Sequence, residues 1–297
     1  MTLYRPIAIA LQKNRAAEMP QTLVIARDMP VRQRRFPKRV TLTLSPLSAA
    51  VRVTRLGRYR FISHFPEHRT YVEPFGGAAS VLLHKPRSYA EIYNDLAGEI
   101  VNVFRVMRNN PEGLRKRLLL TPFARTEYFG AYKPSRDLVE GAAHTIIKSF
   151  MGYGSDSIFR ASGFRANSNR SGTAPAHDWA NFPKTIDFFI QRLSGVVIEE
   201  RPATEVMLAH DSPTTLYYVD PPYLHSTRSS RKAYLHEMTD DDHRKLARVL
   251  HELSGMVVVS GYPSQLYEEL YAGWRRVERQ ALADGARKRV AVLWMNF

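Results

Sequence analysis

The chain has 297 residues, 44% of them apolar, and no cysteine. That size and apolar content suit one large α/β domain, or a catalytic domain with a smaller insertion, and exclude a disordered chain; the lack of cysteine excludes structural disulfides, cysteine-ligated zinc and thiol catalysis. The formal charge of +15 fits a nucleic-acid partner, but residues 1–60 hold 13 Lys/Arg against 2 Asp/Glu and the remainder 30 against 26, so a solvated basic arm explains most of it equally well.

Residues 1–55 are expected to form a basic, poorly ordered arm. Up to residue 50 they show no sustained period of 2 or 3.6, and Arg32-Gln33-Arg34-Arg35 lies between Pro30 and Pro37. Ile7-Ala8-Ile9-Ala10-Leu11 is shorter than the roughly 7 to 15 apolar residues of a signal peptide. No apolar run approaches the roughly 18 to 20 residues that span a bilayer, so a soluble, cytoplasmic protein away from membranes is expected. Thr70-Tyr71-Val72 predicts a buried strand that ends at Glu73-Pro74. Gly76-Gly77 and small residues follow, and a helix is expected to open at Ser80-Val81-Leu82-Leu83. Ala90-Glu91-Ile92-Tyr93 predicts a second strand ending at Asn94-Asp95. A helix over 97–108 comes next, with Ile100, Val101, Phe104 and Met107 on one face. Strand, glycine turn, helix, strand and acid together open a nucleotide-binding βαβ unit.

Residues 110–195 lose this alternation and contain turn-rich stretches at 151–155 and 166–172. They predict an insertion, partly helical with long loops. Strands are then predicted at Gly195–Ile198, Leu216–Val219, Met256–Ser260 and Arg289–Asn296. Helices are predicted from a capping box of Thr239 and Asp242, and over Ser264–Tyr271.

Two motifs carry chemistry. In Glu73-Pro74-Phe75-Gly76-Gly77-Ala78-Ala79-Ser80, glycine at a strand-to-helix turn lets backbone approach a ligand closely. A plain tight turn would look the same, but Asp95 lies 18 residues after Gly77, near the spacing of a ribose-binding acid. Its bland alternative is a cap for the following helix. In Asp220-Pro221-Pro222-Tyr223, the prolines remove two backbone donors and leave their carbonyls as acceptors. Beside the Asp220 carboxylate, these acceptors suit an amine with two hydrogens, and Tyr223 offers a face on which an extruded base can stack.

Taken together, these motifs resemble the Dam-like DNA adenine methyltransferases, particularly those of phages and prophages, over roughly residues 61–297 including Ser260-Gly261-Tyr262. The resemblance implies a Rossmann-like S-adenosylmethionine-dependent methyltransferase fold with an inserted, mostly helical target-recognition domain. The catalytic domain would be 56–120 and 196–297, and the recognition region 121–195. It implies S-adenosyl-L-methionine bound by Glu73, Phe75, Gly76, Gly77, Ala78 and Asp95. Asp220, Pro221, Pro222 and Tyr223 would be catalytic, acting on double-stranded DNA by base flipping and direct in-line transfer, as a monomer and without a metal. Two departures stand out: Ala79 replaces the family's second motif glycine, and Arg55-Leu56-Gly57-Arg58-Tyr59 replaces its glycine-lysine segment. Amino-methylation of cytosine or of a protein glutamine uses a similar motif, but Asp220 and the insertion favour adenine. A non-catalytic DNA-binding remnant is the reading from another class. Lys148, Arg160, Arg165 and Arg170, with aromatic residues interleaved, and Arg228 are candidate DNA contacts; solvated surface charge is the alternative for each.

Overall fold

The computed structural model describes residues 60–166, 174–228, 234–282 and 288–297. The expected arm and Arg170 therefore lie outside the described residues. The first strand, β1 (Thr70–Glu73), pairs in parallel with β2 (Ala90–Asn94) on one side. On its other side it pairs in parallel with β4 (Thr215–Val219). β3 (Val196–Glu199) extends the sheet beyond β2, and β5 (Met256–Gly261) extends it beyond β4. Two antiparallel strands complete it, β6 (Arg275–Leu282) and β7 (Lys288–Met295), giving the order β3-β2-β1-β4-β5-β7-β6.

Helices cover both faces, as parallel strands require. Along β1, Tyr71 and Val72 point to opposite sides and enter separate cores. Tyr71 and Tyr93 pack with Val101 and Phe104 of α1 (Gly98–Asn109) and with Ala142 and Ile146 of α4 (Leu138–Met151). α2 (Pro111–Leu119), α3 (Arg125–Gly130), α5 (Pro175–Asn181) and α6 (Ile186–Leu193) bury Leu114, Tyr128, Trp179 and Phe189 in this same core. Each such large side chain, fully buried, contributes roughly 1.5–3 kcal/mol. On the opposite face, Val72 and Ile92 meet Val206 of α7 (Ala203–Ala209), Leu246 and Leu250 of α8 (Asp240–Glu252) and Tyr267 of α9 (Gln265–Leu270).

The described part of residues 121–195 is thus largely helical and forms part of the layer over one face of the sheet. The described residues all fall within one unit, Val40–Phe297. The Thr239–Asp242 capping box forms as the spacing predicts. The helix expected at Ser80 does not: residues after Gly76 make only turns, with Ala79 in the left-handed region and Pro86 close behind. This turn is tied down from below. Glu91, 2% exposed, accepts from Lys85 Nζ at 2.7 Å and from Arg192 Nη2 at 2.9 Å, and Arg192 also donates to the Leu82 carbonyl. β6 and α7 have no counterpart among the predicted elements. β6 is an edge strand whose Arg275, Arg276 and Glu278 are exposed, so its charge hid it, as charge on an edge strand commonly blocks pairing with other chains.

Candidate active site

β1 and β4 are neighbours, yet the chain runs from β1 outward to β2 and from β4 outward to β5. That reversal of strand order opens a crevice at the carboxyl ends of the strands, where open α/β sheets bind ligands. A cavity of about 860 Å³ lies there, lined by Glu73–Ala78, Asp95 and Asp220–Tyr223 together. The structure therefore brings both sequence motifs and the candidate acid to one pocket.

The glycine loop is built by hydrogen bonds to the end of β2, one from backbone and one from a side chain. Gly76 N–H donates to the Asn94 carbonyl at 2.8 Å, and the Tyr93 hydroxyl donates to the Gly77 carbonyl at 2.7 Å. A Cβ on Gly76 would lie 2.1 Å from the Tyr93 ring, so only glycine fits. Asn94, fully buried, donates to the Pro74 and Arg201 carbonyls at 2.9 and 3.0 Å and joins the ends of β1, β2 and β3. Sequence reading placed Asn94 at the strand end but gave it no task; its only signal was an amide following the apolar pair Ile92-Tyr93.

Ala79, where the resembling family has glycine, adopts φ 53°. Left-handed backbone costs an alanine roughly 1–2 kcal/mol. Replacing it by glycine removes that strain but loses a buried methyl and adds chain entropy, each about 0.5–1 kcal/mol. Ala79→Gly is therefore expected to be nearly neutral. Ala142→Gly, equally buried but inside α4, should cost about 1.5 kcal/mol or more, because nothing there offsets either loss. Urea denaturation of both variants checks the contrast; equal destabilisation would show that Ala79 carries no strain.

Asp95 holds the loop and the helix after it. Its Oδ2 accepts from Gly77 N–H and its Oδ1 from Ala97 N–H, both at 2.8 Å. Burial pushes its pKa up, while these two amides and His236 pull it down. Two of its roughly four acceptor positions are taken. The expected helix cap is not formed by Asp95: the N-cap of α1 is Ala97, with no side-chain cap bond, and the Asp95 bond to Ala97 N–H closes the turn before the helix. Glu73 sits 2% exposed at the end of β1, accepting on Oε2 from the Tyr71 hydroxyl at 2.9 Å and from Leu82 N–H at 2.8 Å. Burial pushes its carboxyl up to about 8 against the pull of those two bonds, and nearby Asp220 adds to the rise.

Asp220 follows directly on β4. Burial pushes its carboxyl up to about 6, while the nearby Tyr223 and Ser260 hydroxyls pull it down. Its Oδ1 is buried with no hydrogen-bond partner among the described residues. An unmatched buried acceptor is costly in a folded protein and marks a place for a donor. The Tyr223 ring meets that of Tyr262 at 4.8 Å and 61°. Ile158 and Phe159, from the turn after α4, and Tyr234, Leu235 and His236 also line the pocket. Sequence reading gave the last three no role.

The candidate DNA contacts are scattered in their surroundings. Lys148 is 6% exposed, with its ammonium on Glu99 at 2.7 Å. Arg165 is 9% exposed and donates to the Phe150 carbonyl at 3.1 Å. Arg228 spans Glu237 with both Nη atoms, at 3.1 and 2.6 Å. Charges so committed within the fold are not available as free surface cations. Arg160 is exposed.

Among the described residues, no three His, Asp or Glu side chains are grouped to hold a metal, and no helix is long and apolar enough to cross a membrane. Residues 59–284 match the family model of the D12 class N6 adenine-specific DNA methyltransferases. No curated protein matches the chain.

Proposed function

The chain belongs to the D12 class N6 adenine-specific DNA methyltransferases, whose methyl donor is S-adenosylmethionine and whose substrate is adenine in DNA, and on that premise we propose a role for each group in the pocket. The pocket suits the donor: it combines a glycine loop that backbone can bring close to a ligand, a carboxylate with acceptor capacity to spare, and apolar wall from Phe75, Ile100 and Ala203. Asp95 accepts hydrogen bonds from the ribose hydroxyls, and Glu73, Phe75, Gly76, Gly77 and Ala78 form the adjoining wall. When bound, the donor supplies an electrophilic sulfonium methyl.

Adenine paired in a duplex must leave the stack to reach such a pocket, at a cost of a few kcal/mol. Tyr223 repays part of this by stacking on the base. Asp220 Oδ1 and the Pro221 carbonyl accept the two amine hydrogens. Holding both hydrogens turns the nitrogen lone pair toward the methyl and stabilises positive charge as it grows on nitrogen. Positioning supplies the rest of the acceleration, and transfer is a direct displacement with no covalent enzyme intermediate. Residues 121–195 carry target recognition, a reading supported by Ile158 and Phe159 at the pocket wall and by exposed Arg160 beside them.

The observation that carries these roles is the buried Oδ1 of Asp220, without a partner among the described residues and lining the same pocket as the glycine loop. The test is transfer of a labelled methyl group to unmethylated duplex DNA, followed by digestion to nucleosides. Label is expected in N6-methyldeoxyadenosine; label in a cytosine derivative, or none in DNA, would sink the assignment.

A further inference from the structure

We propose that Arg192, in the last turn of α6, is a positioning residue for the cofactor pocket: it grips the Leu82 carbonyl and Glu91 together, and so holds the turn that sets Glu73 at the pocket wall. This rests on the reading of that pocket as the S-adenosylmethionine site.

The turn needs an outside hold. Residues 79–85 follow the glycine loop without forming a helix, and Ala79 stands in the left-handed region. Yet Ser80 and Val81 line the pocket, and the next residue, Leu82, donates its N–H to Glu73 Oε2 at 2.8 Å. The Tyr71 hydroxyl donates to the same oxygen at 2.9 Å. Both bonds fall on Oε2, which leaves Oε1 for a donor in the pocket. The aim of this carboxylate therefore depends on where Leu82 stands.

Arg192 fixes Leu82 against the sheet. Its Nη2 donates to the Leu82 carbonyl and, at 2.9 Å, to Glu91 Oε1, while its Nη1 donates to Glu91 Oε2 at 2.5 Å. Glu91 belongs to β2 and also accepts from Lys85 Nζ at 2.7 Å. The Lys85, Glu91 and Arg192 side chains are at most 8% exposed, so water does not readily replace these bonds. A planar guanidinium can serve both carboxylate oxygens and a carbonyl at once, whereas a lysine ammonium is a point charge. Arg192 also lies within residues 121–195, so the inserted region takes part in shaping the cofactor pocket.

A second clamp joins the same two segments and separates fastening from positioning. Arg87, exposed, donates from Nη1 to the Ser194 carbonyl at 2.7 Å and from Nη2 to the Arg192 carbonyl at 3.0 Å. These bonds tie the turn to the end of α6 without involving Leu82, Glu91 or Glu73.

Arg192→Met leaves Glu91 paired with Lys85, so no buried carboxylate is stranded. The variant is expected to bind S-adenosylmethionine about 10-fold more weakly by calorimetry, the size of one hydrogen bond's net contribution. Its kcat at saturating cofactor should stay within about 2-fold of wild type, because the groups assigned to the target base lie on another turn. In ¹⁵N-leucine-labelled protein, the Leu82 amide, assigned by its loss in Leu82→Met, should exchange with solvent about 10-fold faster. Arg87→Ala should keep wild-type affinity and wild-type Leu82 exchange. If the methionine variant does not fold, Arg192→Lys, which keeps the charge but not the fork, carries the same comparison. Unchanged cofactor affinity or unchanged Leu82 exchange in the Arg192 variant overturns the proposal. So does an equal change in Arg87→Ala, which would mean that the two clamps only fasten α6 to the turn. If the wild-type protein binds no S-adenosylmethionine, the pocket assignment fails, and Leu82 exchange still decides separately whether Arg192 positions the turn.

Discussion

Asp220→Ala is expected to lower methyl transfer to adenine by about 10²- to 10³-fold while leaving cofactor affinity unchanged. The size follows from where the lost acceptor stands. Oδ1 is buried and unpartnered among the described residues, so its interaction with an amine would be made in a site largely closed to water. It strengthens as the nitrogen becomes positive, and only interactions stronger in the transition state than in the ground state raise the rate. The glycine loop should be undisturbed, because its hydrogen bonds run to Asn94, Tyr93 and Asp95 and not to Asp220. Single-turnover rates and calorimetry on the same preparation separate the two effects. Turnover near the wild-type level would remove Asp220 from the chemistry.

What the sequence revealed about this site was local. The buried runs at Tyr71, Tyr217 and Val258 announced three of the parallel strands, because a strand covered on both faces reads as continuous apolar sequence. Asp220-Pro221-Pro222-Tyr223 was legible because it is contiguous. Asp95 was legible because the βαβ unit fixes its distance from Gly77. Partnerships between distant segments were not legible. Lys148 and Arg228 read as surface cations until the fold supplied Glu99 and Glu237. Arg228 and Glu237 are only nine residues apart, but nothing in that spacing distinguishes a clasp from two solvated charges. Ser260 was noticed only as part of a resembling stretch. Its place beside Asp220 depends on the β4–β5 register, which single-sequence patterning does not contain. The helix expected at Ser80 failed for a related reason. The loop's small residues fit a helix start, but Ala79 is held in left-handed geometry by contacts on both sides of the turn.

Asp95→Ala should act on the other half of the reaction and weaken cofactor binding by roughly 10- to 150-fold, the equivalent of one buried hydrogen bond to a charged group at about 1.5–3 kcal/mol. Two routes lead to that loss. Asp95 would accept directly from the ribose hydroxyls, and it also fastens Gly77 N–H and Ala97 N–H at 2.8 Å each, so its removal loosens the loop and the start of α1. The loosening alone would lower the melting temperature of the free protein and weaken every ligand of the pocket alike. Direct contact makes a different demand, because the energy lost must depend on the ribose hydroxyls. A cycle pairing the mutation with a deoxyribose analogue of the cofactor isolates that dependence. Wild-type protein should bind the analogue more weakly than the parent compound, and Asp95→Ala should bind both with the same reduced affinity. If the analogue loses as much affinity on the mutant as on the wild type, the carboxylate does not touch the ribose, and Asp95 serves the site only by holding the loop that forms its wall.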